Sequence, residues 1–348
     1  MLRYCYRMAA SRTRLTDIAE HAGVSVATVS RVLNGKGTVS DATRRAVLAA
    51  LDQLGYERPD RLRTNSAGLI GLVIPELNNP VFPAFAQYLE RFLSDSKYTP
   101  LLCSQGPGGT TEDEYIEMLV EHRVDGIIFV SGLHADSRSP VTRYERLIGL
   151  GIPIVTVNGT NPDLAVPTFA MDDRAAMEMA VRHLVSLGHR HIGLAAGQDR
   201  FFPTLNKIEG FTAAIGRHLG NAEAHIVSTL YTTEGGRTAA ASLLADGVTG
   251  IVAASDLMAL GAISQVRAQG MRVPDDVSVV GCDDSPLMAF TNPPLTTVRQ
   301  PGESICRSVV ATLLSMIEGV TVPNLETLFA PELVVRGSTG ANPRRTSS

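Results

Sequence analysis

The stretch from Leu15 to Asn34, LTDIAEHAGVSVATVSRVLN, most restricts what this chain can fold into. Ile18, Ala19 and Ala22 recur at helical spacing, and Val29, Val32 and Leu33 repeat that spacing further on. Between them, Gly23 supplies the backbone freedom that a sharp turn from one helix into the next requires. Thr16 is placed to cap the first helix, with Asp17 near the positive end of its dipole, and Ser25 is placed to cap the second. The face of the second helix left pointing outward holds Val26, Ala27, Thr28, Ser30, Arg31 and Asn34. A helix that merely faces solvent carries Glu and Lys there. Small side chains near the start, hydroxyls along the side and a guanidinium further on suit phosphates and base edges.

Gly35–Gly37 reads as an exposed loop, after which Ser40 caps a third helix running to about Leu54. Val47, Leu48 and Leu51 turn toward the first two helices. The segment 56–67 is polar, charged and lacks a core-forming pattern, which marks a domain boundary. Charge divides at the same place. Residues 1–65 hold 11 Lys and Arg against 6 Asp and Glu, while the whole chain carries a net charge of −4. A basic head on an acidic body points to polyanion at one end only.

From Leu69 onward, short apolar runs alternate with amphipathic helices. Leu69–Pro75, Pro100–Ser104, Asp125–Ser131 and Pro153–Asn158 read as buried strands, with helices near Phe85–Ser94, Glu112–His122 and Arg143–Leu150. The beat resumes with strands at His191–Ala196, Ala224–Leu230, Gly250–Ser255 and Ser278–Cys282. Their helices lie near Arg174–Leu187, Lys207–Leu219, Gly236–Ala245 and Leu257–Gln269. The fold class is therefore α/β: a small all-α helix-turn-helix head, then two lobes with doubly wound parallel sheets. Ligand sites are expected at the carboxyl ends of the strands.

Several function classes fall away. No G-x-G-x-x-G or G-x-x-x-x-G-K-[ST] follows a strand, and Pro107 interrupts the glycines of 106–109, so a nucleotide-dependent enzyme lacks its phosphate cradle. No G-x-S-x-G elbow or H-E-x-x-H spacing occurs; His189 and His191 flank a helix-to-strand turn and read as structural. The four cysteines are scattered without a C-x-x-C pair, which excludes a disulfide framework or structural zinc and suits a reducing cytoplasm. A transported-solute receptor needs export, and the first residues hold no apolar run of signal-peptide length; no run approaches a membrane span. Residues 1–12 are expected to be disordered, with Met8 a candidate start.

The motif Ala19-x-x-Ala22-Gly23-Val24-Ser25-x-x-Thr28-Val29-Ser30-Arg31-Val32-Leu33-Asn34, followed by Val39-Ser40-x-x-Thr43-Arg44, resembles the LacI/GalR family of bacterial transcription regulators. The likeness continues through Leu187-Gly188-His189-Arg190-His191, Ser255-Asp256-Leu-Met-Ala259, Val280-Gly281-x-Asp283-Asp284 and Pro294-Leu295-Thr296-Thr297-Val298-x-Gln300-Pro301. It implies an effector domain similar to periplasmic sugar-binding proteins, with two lobes closing on a small molecule. The chain would recross between lobes near Asn158–Thr168, Thr297–Gln300 and Leu325–Phe329. The expected domains are a head at 13–55, a linker at 56–67 and an effector and dimerisation domain at 68–340. Lobe 1 covers about 68–163 and 300–327, lobe 2 about 164–299 and 328–340, with a last strand at Pro331–Arg336 and a disordered tail at 341–348.

The resemblance also implies roles. Val26, Ala27 and Arg31 would face base edges in the major groove, with Arg31 able to bond a guanine bidentately. Ser25, Thr28, Ser30 and Asn34 would hold phosphates, as would Thr16, Ser40 and Thr43 at helix starts. Leu62 is the one apolar side chain in the short linker available as a minor-groove wedge. Asp283 matches the family's carboxylate for ligand hydroxyls, and Ser255 and Asp256 end the preceding strand. Lys207 stands where the family usually has Arg. Asn79, Phe82, Ser131, Asp173, Phe201 and Tyr231 fall at pocket positions, with Phe82 and Tyr231 suited to stack on a sugar face. The function implied is a cytoplasmic, homodimeric repressor on palindromic operator DNA, modulated by a small effector, a sugar, with no cofactor and no metal.

Overall fold

The computed structural model describes residues 14–34, 39–54, 67–106, 108–220 and 222–342. The chain divides into two units, Met1–Ser66 and Ala67–Ser348. In the first, helices α1 (Leu15–His21), α2 (Val26–Asn34) and α3 (Asp41–Gln53) enclose a small core. Ile18, Val29, Val32, Val47, Ala50 and Leu51 are buried there, with Leu48 partly buried against them. Gly23 sits at φ +62, the left-handed conformation the inter-helix turn demands. Ser25 Oγ accepts from Thr28 N at 3.1 Å and Ser40 Oγ from Thr43 N at 3.2 Å, so both serines cap. Thr16 does not. Helix α1 starts one residue earlier, where the Arg14 N–H donates to Asp17 Oδ2 at 2.8 Å, and Thr16 lies inside the first turn. The Asp17 carboxylate accepts from the N–H of Arg14, the residue at the cap position, so the first turn is closed two residues before Thr16 could cap it. Leu62 and the linker around it lie outside the described residues.

The second unit contains two six-stranded sheets. The first has the order β11 (Glu326–Phe329), β5 (Thr168–Met171), β4 (Ile154–Val157), β3 (Gly126–Val130), β1 (Gly68–Ile74), β2 (Tyr98–Ser104), all parallel. The second runs β12 (Glu332–Val334), β10 (Thr296–Arg299), β9 (Ser278–Asp283), β8 (Gly250–Ala253), β6 (Ile192–Ala196), β7 (His225–Ser228); only β12 is antiparallel. Successive side chains of a strand face opposite ways, and here both ways are covered. Ile70, Leu72 and Ile74 pack under α4 (Val81–Asp95) and α11 (Gly302–Ile317), whereas Val73 packs with α5 (Glu112–Glu121) and α6 (Thr142–Gly149). In the second sheet Ile251 joins α9 (Thr233–Ala245) and α10 (Asp256–Ala268), while Val252 joins α7 (Asp173–Ser186) and α8 (Phe202–Leu219). That is why these strands read as continuous apolar runs.

Four elements depart from the sequence expectation. Strand β5 hydrogen-bonds within the first sheet, so the chain leaves lobe 1 after Met171 rather than between Asn158 and Thr168, and lobe 2 does not begin at 164. Strand β11 likewise extends lobe 1 to Phe329, and the return to lobe 2 falls at Ala330–Pro331. Glu326-Thr-Leu-Phe329 is a largely exposed edge strand with little apolar content, so no pattern announces it. Helix α11 has no counterpart in the sequence reading, although Ile305, Cys306, Val309, Val310 and Leu313 give it a buried stripe. Finally, the disorder expected from residue 341 does not hold at Asn342, which is buried, its N–H donating to Leu187 O and its Nδ2 to Gly188 O, both at 3.0 Å; residues 343–348 lie outside the described ones.

His189 fastens that C-terminal segment. It is fully buried, with Nδ1 3.0 Å from Thr249 Oγ1 and Nε2 3.0 Å from Ser278 Oγ and 3.1 Å from Gly340 O. Burial pushes its pKa down. Below the ordinary value of about 6.5 the unfolded chain therefore takes up a proton that the folded chain refuses, and stability is lost as pH falls. His189→Asn is expected to destabilise the protein at pH 7.5, and the gap from wild type should narrow toward pH 5.5 by up to about 1.4 kcal/mol per pH unit. Chemical denaturation across that range measures it; a constant gap contradicts the assignment.

Candidate functional site

Each of the two units carries one surface built from the sequence-predicted residues. On α2, Val26, Ala27, Arg31 and Asn34 are exposed and Thr28 and Ser30 half-buried, and the helix carries no acidic residue. Its hydroxyls are already organised. Ser25 Oγ lies 2.9 Å from Thr28 Oγ1, Asn34 Nδ2 donates to Ser30 Oγ at 3.1 Å, and Ser40 Oγ lies 2.8 Å from Thr43 Oγ1 on α3. Such pairing pre-orients the hydroxyls without consuming every O–H, since each Ser–Thr pair uses one of its two, and Ser25 and Ser40 are exposed. Thr16 is exposed on α1.

The other surface is an interlobe cleft of about 230 Å³. It forms where the carboxyl ends of the two parallel sheets face one another, the expected place for a ligand in doubly wound folds. Nine of the sequence-predicted residues line it: Asn79, Phe82, Ser131, Asp173, Phe201, Lys207, Tyr231, Ser255 and Asp283. Lobe 1 brings Asn79 and Phe82 from the start of α4 and Ser131 from the end of β3; the rest come from lobe 2. Ser131 (φ 47), Asn158 (φ 59) and Asp283 (φ 123) all hold left-handed backbone at strand ends on the cleft wall. Conformations of this kind cost on the order of 1–3 kcal/mol each and cluster where a wall must be shaped for a ligand.

Asp256 is the exception. Its carboxylate is buried, accepting from Thr297 Oγ1 at 2.6 Å and from Ser285 N at 2.7 Å, and it does not line the cleft. Burial pushes its pKa up to about 6, against the bonds from Thr297 and Ser285. Asp256 is a strut that fixes the loop after β9, and so positions Asp283. The helix cap at this point is Ser255, whose Oγ accepts from Met258 N at 3.3 Å.

The charges inside the cleft are arranged rather than scattered. Lys207 Nζ lies 2.5 Å from Asp173 Oδ1, both side chains being almost fully enclosed. Burial alone would push the lysine down, but the Asp173 carboxylate reverses this and holds it above its ordinary range. Lys207 is thus a charged donor whose carboxylate partner also faces the cleft. Asp283 accepts from Gln300 Nε2 at 2.6 Å; burial and the neighbouring Asp256 raise its pKa well above the carboxylate range, with Lys207 opposing. Tyr231 donates to or accepts from Thr204 Oγ1 at 2.8 Å. Its ring occupies the space a side chain at Gly197 would need, since a Cβ there would stand 1.9 Å from Cε2. Arg200 covers the Phe201 ring at 4.8 Å.

Sequence reasoning missed Gln300, Asn158, Gln198 and Glu76, which also line the cleft. The sequence places Gln300 in a motif and at a crossover, and Asn158 at a strand end and the start of another crossover, but neither reading puts them in the pocket. Among the described residues no cluster could hold a metal ion, and no described helix is long and apolar enough to cross a membrane.

Comparison with known proteins bears on this geometry. Residues 14–59 match the model of the bacterial regulatory proteins of the lacI family, and residues 181–339 match a periplasmic binding protein-like domain. The chain is 57% identical over 337 residues to the HTH-type transcriptional regulator reg1 of Streptomyces lividans, covering 95% of this chain and 98% of that one. It belongs to the LacI family. This LacI-family chain is a transcription regulator, not an enzyme. Among solved structures it is similar to a complex of the regulator CelR with cellobiose, at 30% identity and TM-score 0.70 over 94% of this chain and all of that one. It is also similar to the lac repressor dimer bound to operator and an anti-inducer, at 26% identity and TM-score 0.68 over 95% and 100%.

The ion pair makes a direct prediction. Removing one partner of a buried pair leaves an uncompensated charge, which costs about 3–5 kcal/mol. Asp173→Ala should lower stability by that order, and adding Lys207→Met should restore most of it. Urea unfolding of the three proteins decides; a single substitution as mild as an exposed one contradicts the pairing.

Proposed function

We propose that this chain is a repressor that binds palindromic operator DNA as a homodimer in the cytoplasm and is modulated by a sugar. The observation that carries the reading is the cleft itself: an ammonium–carboxylate pair and a separate carboxyl, Asp283, set among Phe82, Phe201 and Tyr231. Carbohydrates present hydroxyls at the ring edge and C–H groups on the ring face, so charge-assisted hydrogen bonds and flat apolar walls together are the chemistry that recognises them. The neighbouring solved structures hold cellobiose in one case and operator DNA in the other, which supports both halves of the reading. One recognition helix reads a half-site only, so two copies on a palindrome supply register and affinity.

On the head, Arg31 is exposed on α2, and in this reading it faces a base edge. Arg31→Ala should weaken operator binding by about 1–3 kcal/mol and relax preference at one base-pair position. A binding selection that returns the wild-type sequence preference removes Arg31 from base readout.

In the cleft, Asp283→Ala should abolish the effector's influence on DNA while leaving operator affinity without effector near the wild-type value. A sugar shifts the regulator only through its different affinity for two lobe arrangements, and coupling of about 1–3 kcal/mol is typical. Fluorescence anisotropy of labelled operator against a sugar panel tests this. A regulator whose operator affinity no sugar changes contradicts the sugar reading, and an Asp283→Ala protein that responds at unchanged sugar concentration contradicts the role of Asp283.

A further inference from the structure

The loop after β3, in lobe 1, touches the loop after β6, in lobe 2. Asp136 and Phe201 form an antiparallel bridge, and Ser137 donates both its N–H and its Oγ–H to Arg200 O, each at 2.8 Å. Charges flank that bridge. Arg200 Nη1 lies 3.4 Å from Asp136 Oδ2, and Arg138 Nη2 lies 3.4 Å from Asp199 Oδ1. The first pair sets a partly exposed guanidinium against an enclosed carboxylate, whereas the second is open to solvent and screened by salt. Ala135 and Phe201, beside these contacts, line the cleft.

The lobe 1 half of this contact is braced from behind. Glu112, almost fully buried, accepts from Leu133 N at 2.9 Å, His134 Nε2 lies 3.1 Å from Asn158 O, and Asn161 Nδ2 donates to His134 O at 3.3 Å. Gly159 lets the lobes approach closely. At its φ of +94, a Cβ would stand 2.6 Å from Ala135 Cβ and 3.3 Å from Pro203 Cδ of lobe 2. Position counts as much as contact. The chain crosses between lobes after β5, β10 and β11, while β3 lies two strands from β5 and β6 lies three strands from β10. At about 4.8 Å per strand, the contacts stand roughly 10 and 14 Å to the side of the strands that feed the crossovers. A hinge motion about the crossovers parts the two loops, and bonds on that lever arm resist opening more than bonds beside the hinge.

We propose that residues 136–138 and 199–201 form a clasp that holds the lobes closed before an effector arrives, and so sets the resting balance between the lobe arrangements on which operator affinity depends. A ligand moves such a balance only by its differential affinity, so the bonds that hold the empty protein fix how much the ligand must supply. Two hydrogen bonds to one carbonyl and two ion pairs at the surface can part for ligand exchange and re-form. The proposal needs no particular effector and stands apart from the sugar reading.

Hydrogen exchange of the full-length protein without ligand tests it at the Ser137 amide. Ser137 is exposed, so its N–H resists exchange only while Arg200 O holds it. Asp199→Ala with Arg200→Ala removes both ion pairs from lobe 2 and leaves the residues next to that amide untouched. Exchange there should quicken at least fivefold, with the amides of β1 and β8 at wild-type rates, and operator affinity should shift at least threefold. Asp136→Asn keeps the Oδ1 acceptor for Arg138 N and loses the charge facing Arg200, so it should shift both quantities in the same direction by less. Should the double variant lose protection in β1 as well, Asp136→Asn decides. A Ser137 amide as protected in the variants as in wild type overturns the clasp. Faster exchange at Ser137 with unchanged operator affinity overturns its hold on the regulator.

Discussion

A parallel strand cannot turn back on itself; its carboxyl end must hand the chain to a crossover. The cleft depends on that constraint. All the strands of the first sheet and all but β12 of the second share one direction, so every loop that can carry a functional side chain emerges on one edge of each sheet. The two edges face one another across the cleft, and the chain passes between lobes after β5, after β10 and after β11. Three covalent connections hold the edges together without welding them. Ser131, Asn158 and Asp283, with left-handed backbone, sit at those strand ends, where a rigid sheet on one side can hold a strained residue in place.

Within that frame the polar residues divide by what they face. Lys207 and Asp173 form a pair open to the cleft, 34 residues apart in sequence and brought together by α7 and α8. Asp256 looks away from the cleft and locks Thr297 and Ser285, so that one buried carboxyl organises the strands and loop beside another, Asp283, which lines the cleft. Asp284 plays a similar part outside, between Arg299 at 2.7 Å and Arg336 at 2.6 Å. Adjacent acidic residues in the sequence thus have separate surroundings, Asp283 on the cleft wall and Asp284 between two arginines.

The head was legible because its signals are local. A glycine at the turn, serine caps and two apolar stripes each act within a few residues, and only Thr16 was misplaced, because the helix already begins at Leu15. The lobes were legible wherever strands are covered on both faces, as at β1, β3, β8 and β9. Reading failed at β11, a largely exposed edge strand with few apolar residues, and at β5, whose four buried residues are too short a run to show a period. It failed again at Asp256, because whether a carboxylate points to a cavity or into the protein depends on partners 29 and 41 residues away. Gln300 was missed for the same reason: its significance comes from Asp283, which sequence distance hides.

The central claim is that the cleft and the DNA-binding head are thermodynamically coupled. Coupling is reciprocal, so a ligand that changes operator affinity by some factor must itself bind operator-loaded protein more or less tightly by that same factor. The direct test is to titrate the effective sugar into free protein and into the protein–operator complex, and to compare the ratio of the two Kd values with the shift in operator affinity at saturating sugar. The account predicts two different Kd values whose ratio equals that shift. Identical Kd values for free and operator-bound protein would contradict it.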